Sequence, residues 1–191
     1  LYAFLNGEFI GYDQVSHCPS EFDVTGLLRE GGNTIAVRVY KYCVGSYLEN
    51  QDKIRLQGIF RNVYILERDA EHISGYRVTY ALRGNSADVL IRFDGKLPKT
   101  VEVSDGESVL VREECGEVAA FTMPGVRLWN SEQPNLYRLT IRAGEEKICD
   151  YLSFRTVRID NGVFTVNGVP QKLFGVNRHE VCYESGYYFP F

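Results

Sequence analysis

The sequence predicts a mainly β protein, and three observations carry that reading. Short β-branched or alternating runs such as "TIAVRVYKY" and "GYRVTYAL" recur along almost the whole chain. Gly-containing turn dipeptides separate many of them at intervals of about eight to twelve residues, the spacing of antiparallel sandwiches. Long helical patterns are nearly absent.

The elements follow in order. "LYAFLN" and "EFIGYD" flank Asn6-Gly7, a two-residue hairpin turn in which both central positions take positive φ. "PSEFDVTGLLREGGN" offers Ser20 as a cap and one helical turn around Leu27-Leu28, broken by Gly31-Gly32-Asn33. "TIAVRVYKY" is a strand, the polar "VGSYLENQDKIRLQG" a loop, and "IFRNVYILER" another strand. "GYRVTYAL", "ADVLIRF", "KTVEVS", "SVLVREE" and "EVAAFTM" then read as short strands, several divided by Gly84-Asn85, Asp94-Gly95 and Asp105-Gly106. "NLYRLTIR" and "KICDYLSFRTVRI" continue the series. Asn161-Gly162 and Asn167-Gly168 mark two more tight turns, and "KLFGVN" reads as a final apolar strand with a polar tip. Trp129, in "RLWNSEQPNLYRL", is expected in the core or as a lid over the sandwich end.

Composition narrows the function. The chain has 191 residues, 45% of them hydrophobic, enough for one large domain or two small ones. The net charge is −4 and the Lys and Arg residues are scattered, so the basic stripe of a nucleic-acid surface is missing. No apolar run approaches the roughly eighteen residues of a membrane helix. The five cysteines are irregularly spaced without a C-x-x-C pair, which suits reduced thiols in a cytoplasmic protein. "LYAFLNGEF" has no initiating Met, basic region or cleavage pattern and reads as the middle of a strand, so the protein's own start is expected upstream.

Two stretches can carry chemistry. In "SYLENQDKIRLQGIFRN", the groups of Glu49, Asn50, Gln51 and Asp52 precede Arg55 and Arg61. A loop presents such groups on a scaffold held still by the sheet beneath. They suit either a solvated loop with an Arg–Asp pair, or a sugar- or cation-binding edge, since carboxylate and amide oxygens match hydroxyls and hard cations. In "KLFGVNRHE", an apolar strand delivers Asn177, Arg178, His179 and Glu180 at its tip, as barrel strands do at their carboxyl ends. His179 suits a hydrogen bond to a substrate hydroxyl and a structural hydrogen bond equally. His179 and Cys182 lack the further ligands of a zinc site. Glu180 and Glu184 lie on one segment and do not oppose each other across a sugar, as a glycosidase requires. No phosphate loop and no G-x-S-x-G elbow occurs.

Taken together, "NGEFIGYDQVSHCPSEFDVTGLLREGGNTIAVRVYKY", "GSYLENQDKIRLQGIFRNVYIL", "RLWNSEQPNLYRL" and "FRTVRIDNGVFTVNGVPQKLFGVNRHE" resemble successive blocks of the glycoside hydrolase family 2 β-galactosidases. The resemblance runs from Leu1 to about Glu180. It implies a partial jelly-roll sandwich, an immunoglobulin-like β-sandwich and the truncated start of a (β/α)8 barrel. The expected domains are residues 1–69, the C-terminal half of a jelly-roll sugar-binding domain; residues 70–157, the sandwich; and residues 158–191, the start and first strand of the barrel. It also implies a retaining β-galactosidase parent that hydrolyses terminal β-galactosides in the bacterial cytoplasm. Asp52 matches the jelly-roll acid that touches a sugar hydroxyl and helps hold a sodium ion. His179 matches the barrel histidine that hydrogen-bonds the sugar, with Asn177, Arg178 and Glu180 in support. The family's acid/base and nucleophilic glutamates follow barrel strands four and seven and match nothing here, nor do the barrel's magnesium ligands. A non-catalytic fragment that binds no cofactor alone is therefore expected, its partners being a β-galactoside and the rest of the parent chain. "KLFGVN" would pack on its own sandwich or on a second copy. "VCYESGYYFPF" lacks the His-rich continuation of some members. A stand-alone carbohydrate-binding or scaffolding module is the alternative, as is a fragment of a β-glucuronidase or β-mannosidase.

Overall fold

The computed structural model describes residues 1–15, 18–49, 57–178 and 182. They fall into two compact units, Leu1–Ile65 grouped with the segment from Val176 onward, and Leu66–Gly175.

In the first unit, β1 (Tyr2–Leu5), β2 (Glu8–Tyr12) and β3 (Ile35–Arg38) form an antiparallel sheet in the order β2-β1-β3. The Asn6-Gly7 turn has the expected positive φ at both residues, 52° and 88°. A bulge shifts the β1–β2 register between Ala3 and Phe4, so that Ala3 faces Gly11 and Phe4 faces Phe9. This sorts the two sheet faces. Ala3 and Leu5 are buried on one. A Cβ on Gly11 would lie 2.2 Å from the Phe22 ring, so only glycine lets that ring lie so close. The opposite face carries Tyr2, Phe4, Phe9 and Tyr12. Tyr2 lies 5.1 Å from Tyr12 and 6.0 Å from Tyr40 between ring centroids, and Phe4 lies 5.6 Å from Phe9.

The helical turn is a 3-10 turn at Thr25–Leu27. Ser20 does not cap it: its hydroxyl donates to the Asp13 carboxylate at 2.5 Å. Asp23 instead accepts from the Thr25 amide and hydroxyl at 2.9 and 2.7 Å, because a side-chain bond at a turn start reaches only two or three residues along the chain.

The second unit contains β4 (Tyr76–Arg83), β5 (Ser86–Phe93), β6 (Lys99–Asp105), β7 (Ser108–Cys115), β8 (Val118–Met123), β9 (Tyr137–Ala143) and β10 (Glu146–Leu152). They form two antiparallel sheets, β4-β5-β8 and β10-β9-β6-β7, with the chain changing sheet after β5, β7 and β8, as in immunoglobulin-like sandwiches. Period-two alternation makes the core. Ala87, Val89, Ile91 and Phe93 of β5 are buried along with Val101 and Val103 of β6 and Leu139 and Ile141 of β9. Each fully buried aliphatic side chain here contributes about 1.5–3 kcal/mol of transfer free energy.

Lys99 shares that alternation yet is only 3% exposed. Its ammonium donates to the carbonyls of Leu97, Gly116 and Gly95 at 2.6, 3.1 and 3.2 Å and lies 4.9 Å from the Phe93 ring centroid. Three carbonyl oxygens and an aromatic face stand in for its lost hydration.

"KICDYLSFRTVRI", read as one strand, is two. It breaks after β10 because Phe154 turns into the core, 1% exposed, against Tyr80 and Tyr137 at 5.1 and 5.6 Å. Beyond the break, β11 (Val157–Asp160), β12 (Val163–Val166) and β13 (Val169–Pro170) make a small antiparallel sheet within the same compact unit as the sandwich. Trp129 is half-buried, and its amide donates to the Phe154 carbonyl at 2.8 Å.

Two expected strands are not formed. Residues 59–68 and 172–178 carry no strand among the described residues, and past Pro170 the Gln171 amide still donates to the Phe164 carbonyl of β12 at 2.9 Å. Their apolar side chains are exposed, Tyr64 at 77%, Leu173 at 78% and Phe174 at 87%. "KLFGVN" therefore does not pack on its own sandwich. A parallel barrel strand needs neighbours on both edges, and none of the described residues supplies them.

Replacing Lys99 by Met keeps the apolar stem but leaves three carbonyls without their donor. Lys99→Met is expected to destabilise the second unit by about 2 kcal/mol, read from urea unfolding. A loss within about 0.5 kcal/mol of zero would show that water replaces the ammonium.

Candidate functional site

Asp52, His179 and Glu180 lie outside the described residues, as do Asn50, Gln51 and Arg55. Asn177 and Arg178 are exposed and stand in irregular backbone at the end of the 172–178 segment. The flanks of the Asp52 loop are described. Before it, Ser46–Glu49 forms one helical turn, in which the Ser46 amide donates to the Cys43 carbonyl and the Ser46 hydroxyl accepts from the Cys43 amide, both at 3.0 Å. Tyr47 and Leu48 point outward, 91% and 80% exposed. After it, the Arg61 guanidinium sits 5.6 Å from the Phe60 ring centroid.

Two surfaces were not foreseen from the sequence. The first is the open aromatic face of the β2-β1-β3 sheet, where Phe9, Tyr12 and Tyr40 are each at least half exposed. Its signal was present in the alternation of Tyr2 and Phe4 on one side of the turn and Phe9 on the other.

The second is an acidic depression of about 380 Å³ on the second unit, lined by Asp69, Glu71, His72 and Glu146 around Arg68. Several carboxylates in one hollow have the look of a glycosidase centre, but the hydrogen bonds say otherwise. Glu146 pairs with the Arg68 guanidinium and accepts the Ile73 amide at 2.7 Å. The same guanidinium donates to the Ile73 carbonyl at 2.9 Å. These bonds brace the segment before β4 against β10. The Ile73 amide, followed by Arg68, holds the Glu146 carboxyl below the usual carboxylate range. A glycosidase acid needs the reverse, a carboxyl kept protonated near neutrality. Nearby, burial and then the hydrogen bond to Asp150 push the Tyr76 hydroxyl up to about 12, and that bond, 2.6 Å long, ties β4 to β10 in the same manner. Glu146 is thus a structural carboxylate.

The sodium contact that the resemblance gives Asp52 falls outside the described residues. Among the described residues, no three His, Cys, Asp or Glu side chains gather where they would hold a metal ion. No helix among them is long and apolar enough to cross a membrane.

A three-stranded sheet followed by an immunoglobulin-like sandwich is the order that the family 2 resemblance implies. Residues 1–69 match the profile of the glycosyl hydrolases family 2 sugar binding domain, and residues 66–155 match a further family 2 profile. The chain belongs to glycosyl hydrolases family 2. It is 36% identical over 192 residues to a β-galactosidase of Actinobacillus pleuropneumoniae and 38% identical over 197 residues to one of Staphylococcus xylosus. Each match covers 98% of this chain but only 19% of the relative's length. Among solved structures, a β-glucuronidase of Ruminococcus gnavus aligns with a TM-score of 0.76 at 21% identity, covering 98% of this chain and 36% of that one. A β-glucuronidase of Lactobacillus rhamnosus aligns at 0.72 and 24% identity, covering 99% and 36%. At such identity the two structures speak for the fold alone.

Because its folded-state carboxyl titrates lower than an unfolded one, Glu146 stabilises the second unit above the ordinary carboxylate range, and that share is lost as the pH falls. The stability difference between the native chain and Glu146→Gln is expected to be largest near pH 7 and to shrink toward about pH 3, read as urea midpoints across the series. A difference that grows in acid would contradict the brace.

Proposed function

We propose that this chain is a portion of a retaining β-galactosidase, one that helps to bind and orient a terminal β-galactoside but does not itself break the glycosidic bond. The observation that carries the reading is the match to two β-galactosidases at 36% and 38% identity over 98% of the chain. The "SYLENQD" and "GVNRHE" motifs support it.

The chemistry divides accordingly. Retention requires two carboxyl groups about 5–5.5 Å apart, one protonating the leaving oxygen and one forming the glycosyl-enzyme. In the family these follow barrel strands four and seven, and no stretch of this chain matches either. The one braced carboxylate of the acidic depression, Glu146, is held ionised, which does not suit the acid, and its two oxygens are engaged by Arg68 and by the Ile73 amide, which does not suit a nucleophile. What the chain offers is positioning. Asp52 would accept from a sugar hydroxyl and, with other oxygens, hold a sodium ion. His179 would hydrogen-bond the sugar and favour the oxocarbenium-like transition state, with Asn177, Arg178 and Glu180 as supporting groups. Magnesium would belong to barrel ligands elsewhere in the parent.

The partner is further polypeptide of the same parent. The open aromatic face and the exposed apolar residues of 59–66 support that reading, since both are surfaces that another chain segment would cover. A stand-alone binding module would gain nothing from leaving them bare. The proposed location is the bacterial cytoplasm.

Incubation of the purified chain with a chromogenic β-galactoside is expected to give no turnover above buffer. In a longer polypeptide that supplies the barrel, Asp52→Asn and His179→Asn are each expected to lower kcat/KM about 100-fold. Turnover by the chain alone at an ordinary enzymatic rate would falsify the division of labour.

A further inference from the structure

Between β10 and β11 the backbone is held at successive polar groups. The Phe154 carbonyl accepts the Trp129 amide at 2.8 Å. The Tyr80 hydroxyl accepts the Arg155 amide at 3.1 Å and donates to the Arg155 carbonyl at 2.9 Å. Asn167 Oδ1 accepts the Thr156 amide at 3.0 Å, and the Asn167 amide donates to the Thr156 carbonyl at 2.9 Å. The remaining arm, Asn167 Nδ2, donates to the Trp129 carbonyl at 3.0 Å. One amide side chain thus ties the small sheet both to the junction and to the Trp129 loop, where Arg155 lies 4.7 Å from the Trp129 ring centroid.

The first unit repeats the device. The Asn6 amide donates to the Thr34 carbonyl at 2.8 Å, Asn6 Oδ1 accepts the Thr34 amide at 3.0 Å, and Asn6 Nδ2 donates to the Leu27 carbonyl at 3.0 Å. In both places the Asn opens an Asn-Gly turn after the central strand of a three-stranded sheet. The residue it grips stands directly before the strand on the far side, Thr34 before β3 and Thr156 before β11. Asn161 opens a third such turn with a similar φ of 50°, yet its side chain makes no hydrogen bond among the described residues. Backbone geometry alone therefore does not account for the grip at Asn167. A glycine would take the φ of 53° equally well and supply no amide.

We propose that Asn167 is a positioning residue, locking β11–β13 to the sandwich through Thr156 and Trp129 and so setting the direction in which the chain leaves Pro170. The purpose rests on the carbohydrate reading, because a group that must meet a sugar has to be delivered by a rigid support. The lock itself does not.

The test uses the 191-residue chain and its single tryptophan, Trp129, as reporter. Asn167→Gly, Asn167→Asp and Asn161→Gly are compared by amide hydrogen exchange and by acrylamide quenching of Trp129. Asn167→Gly is expected to speed exchange at the Thr156 amide roughly tenfold and to open Trp129 to quencher, while Ile91 and Leu139 keep their protection. Asn167→Asp, which keeps the acceptor and loses the donor, should protect Thr156 yet still expose Trp129. Asn161→Gly should change neither reading. Native behaviour of Asn167→Gly, an equal effect of Asn161→Gly, or a loss of protection that spreads to Ile91 and Leu139 would each overturn the assignment. No sugar enters these measurements, so their failure leaves the carbohydrate reading standing, and failure of the galactoside assays leaves the lock standing.

Discussion

A β-strand exists only where a neighbour takes up its hydrogen bonds, and that constraint explains most of this chain. An isolated extended segment has one donor and one acceptor per residue that water satisfies as well as a partner does, so sequence preference alone does not hold it. Where two antiparallel edges meet with matched apolar faces, the ladder and the burial reinforce each other. The sandwich is the place where this happens five times over, among seven strands. Residues 59–68 and 172–178 have strand-forming composition and exposed apolar side chains, and no described segment pairs with them as a strand.

The same constraint shapes the polar groups of the interior and the element ends. Lys99 is buried because three carbonyls at the open end of β6 would otherwise be unpaired. Asn6 and Asn167 extend their sheets by one side-chain rung where the backbone ladder stops at a turn. Glu146 and Arg68 satisfy both polar groups of Ile73 just before β4 begins. In each case a side chain completes the accounting where secondary structure ends, and losing it leaves backbone groups without their partner.

For function, the molecule separates support from chemistry. In its acidic depression Glu146 is a brace, held ionised by the Ile73 amide and then by Arg68. Asp52 and His179, the residues that the family resemblance gives to the sugar, lie outside the described residues.

Alternation and turn dipeptides by themselves determined the β class, the sandwich strands and the three Asn-Gly hairpins, because period-two burial and positive φ are local properties. Asp52 and His179 were legible only through motif resemblance, since no local rule separates a sugar-contacting aspartate from a solvated one. The bracing of Glu146, the buried ammonium of Lys99 and the grip of Asn167 were decided by tertiary structure alone. Each depends on partners distant in sequence, as when Glu146 meets Ile73 or Asn167 meets Trp129. Strand existence at 59–68 and 172–178 was decided the same way, because a ladder is a property of two segments and a sequence window shows only one.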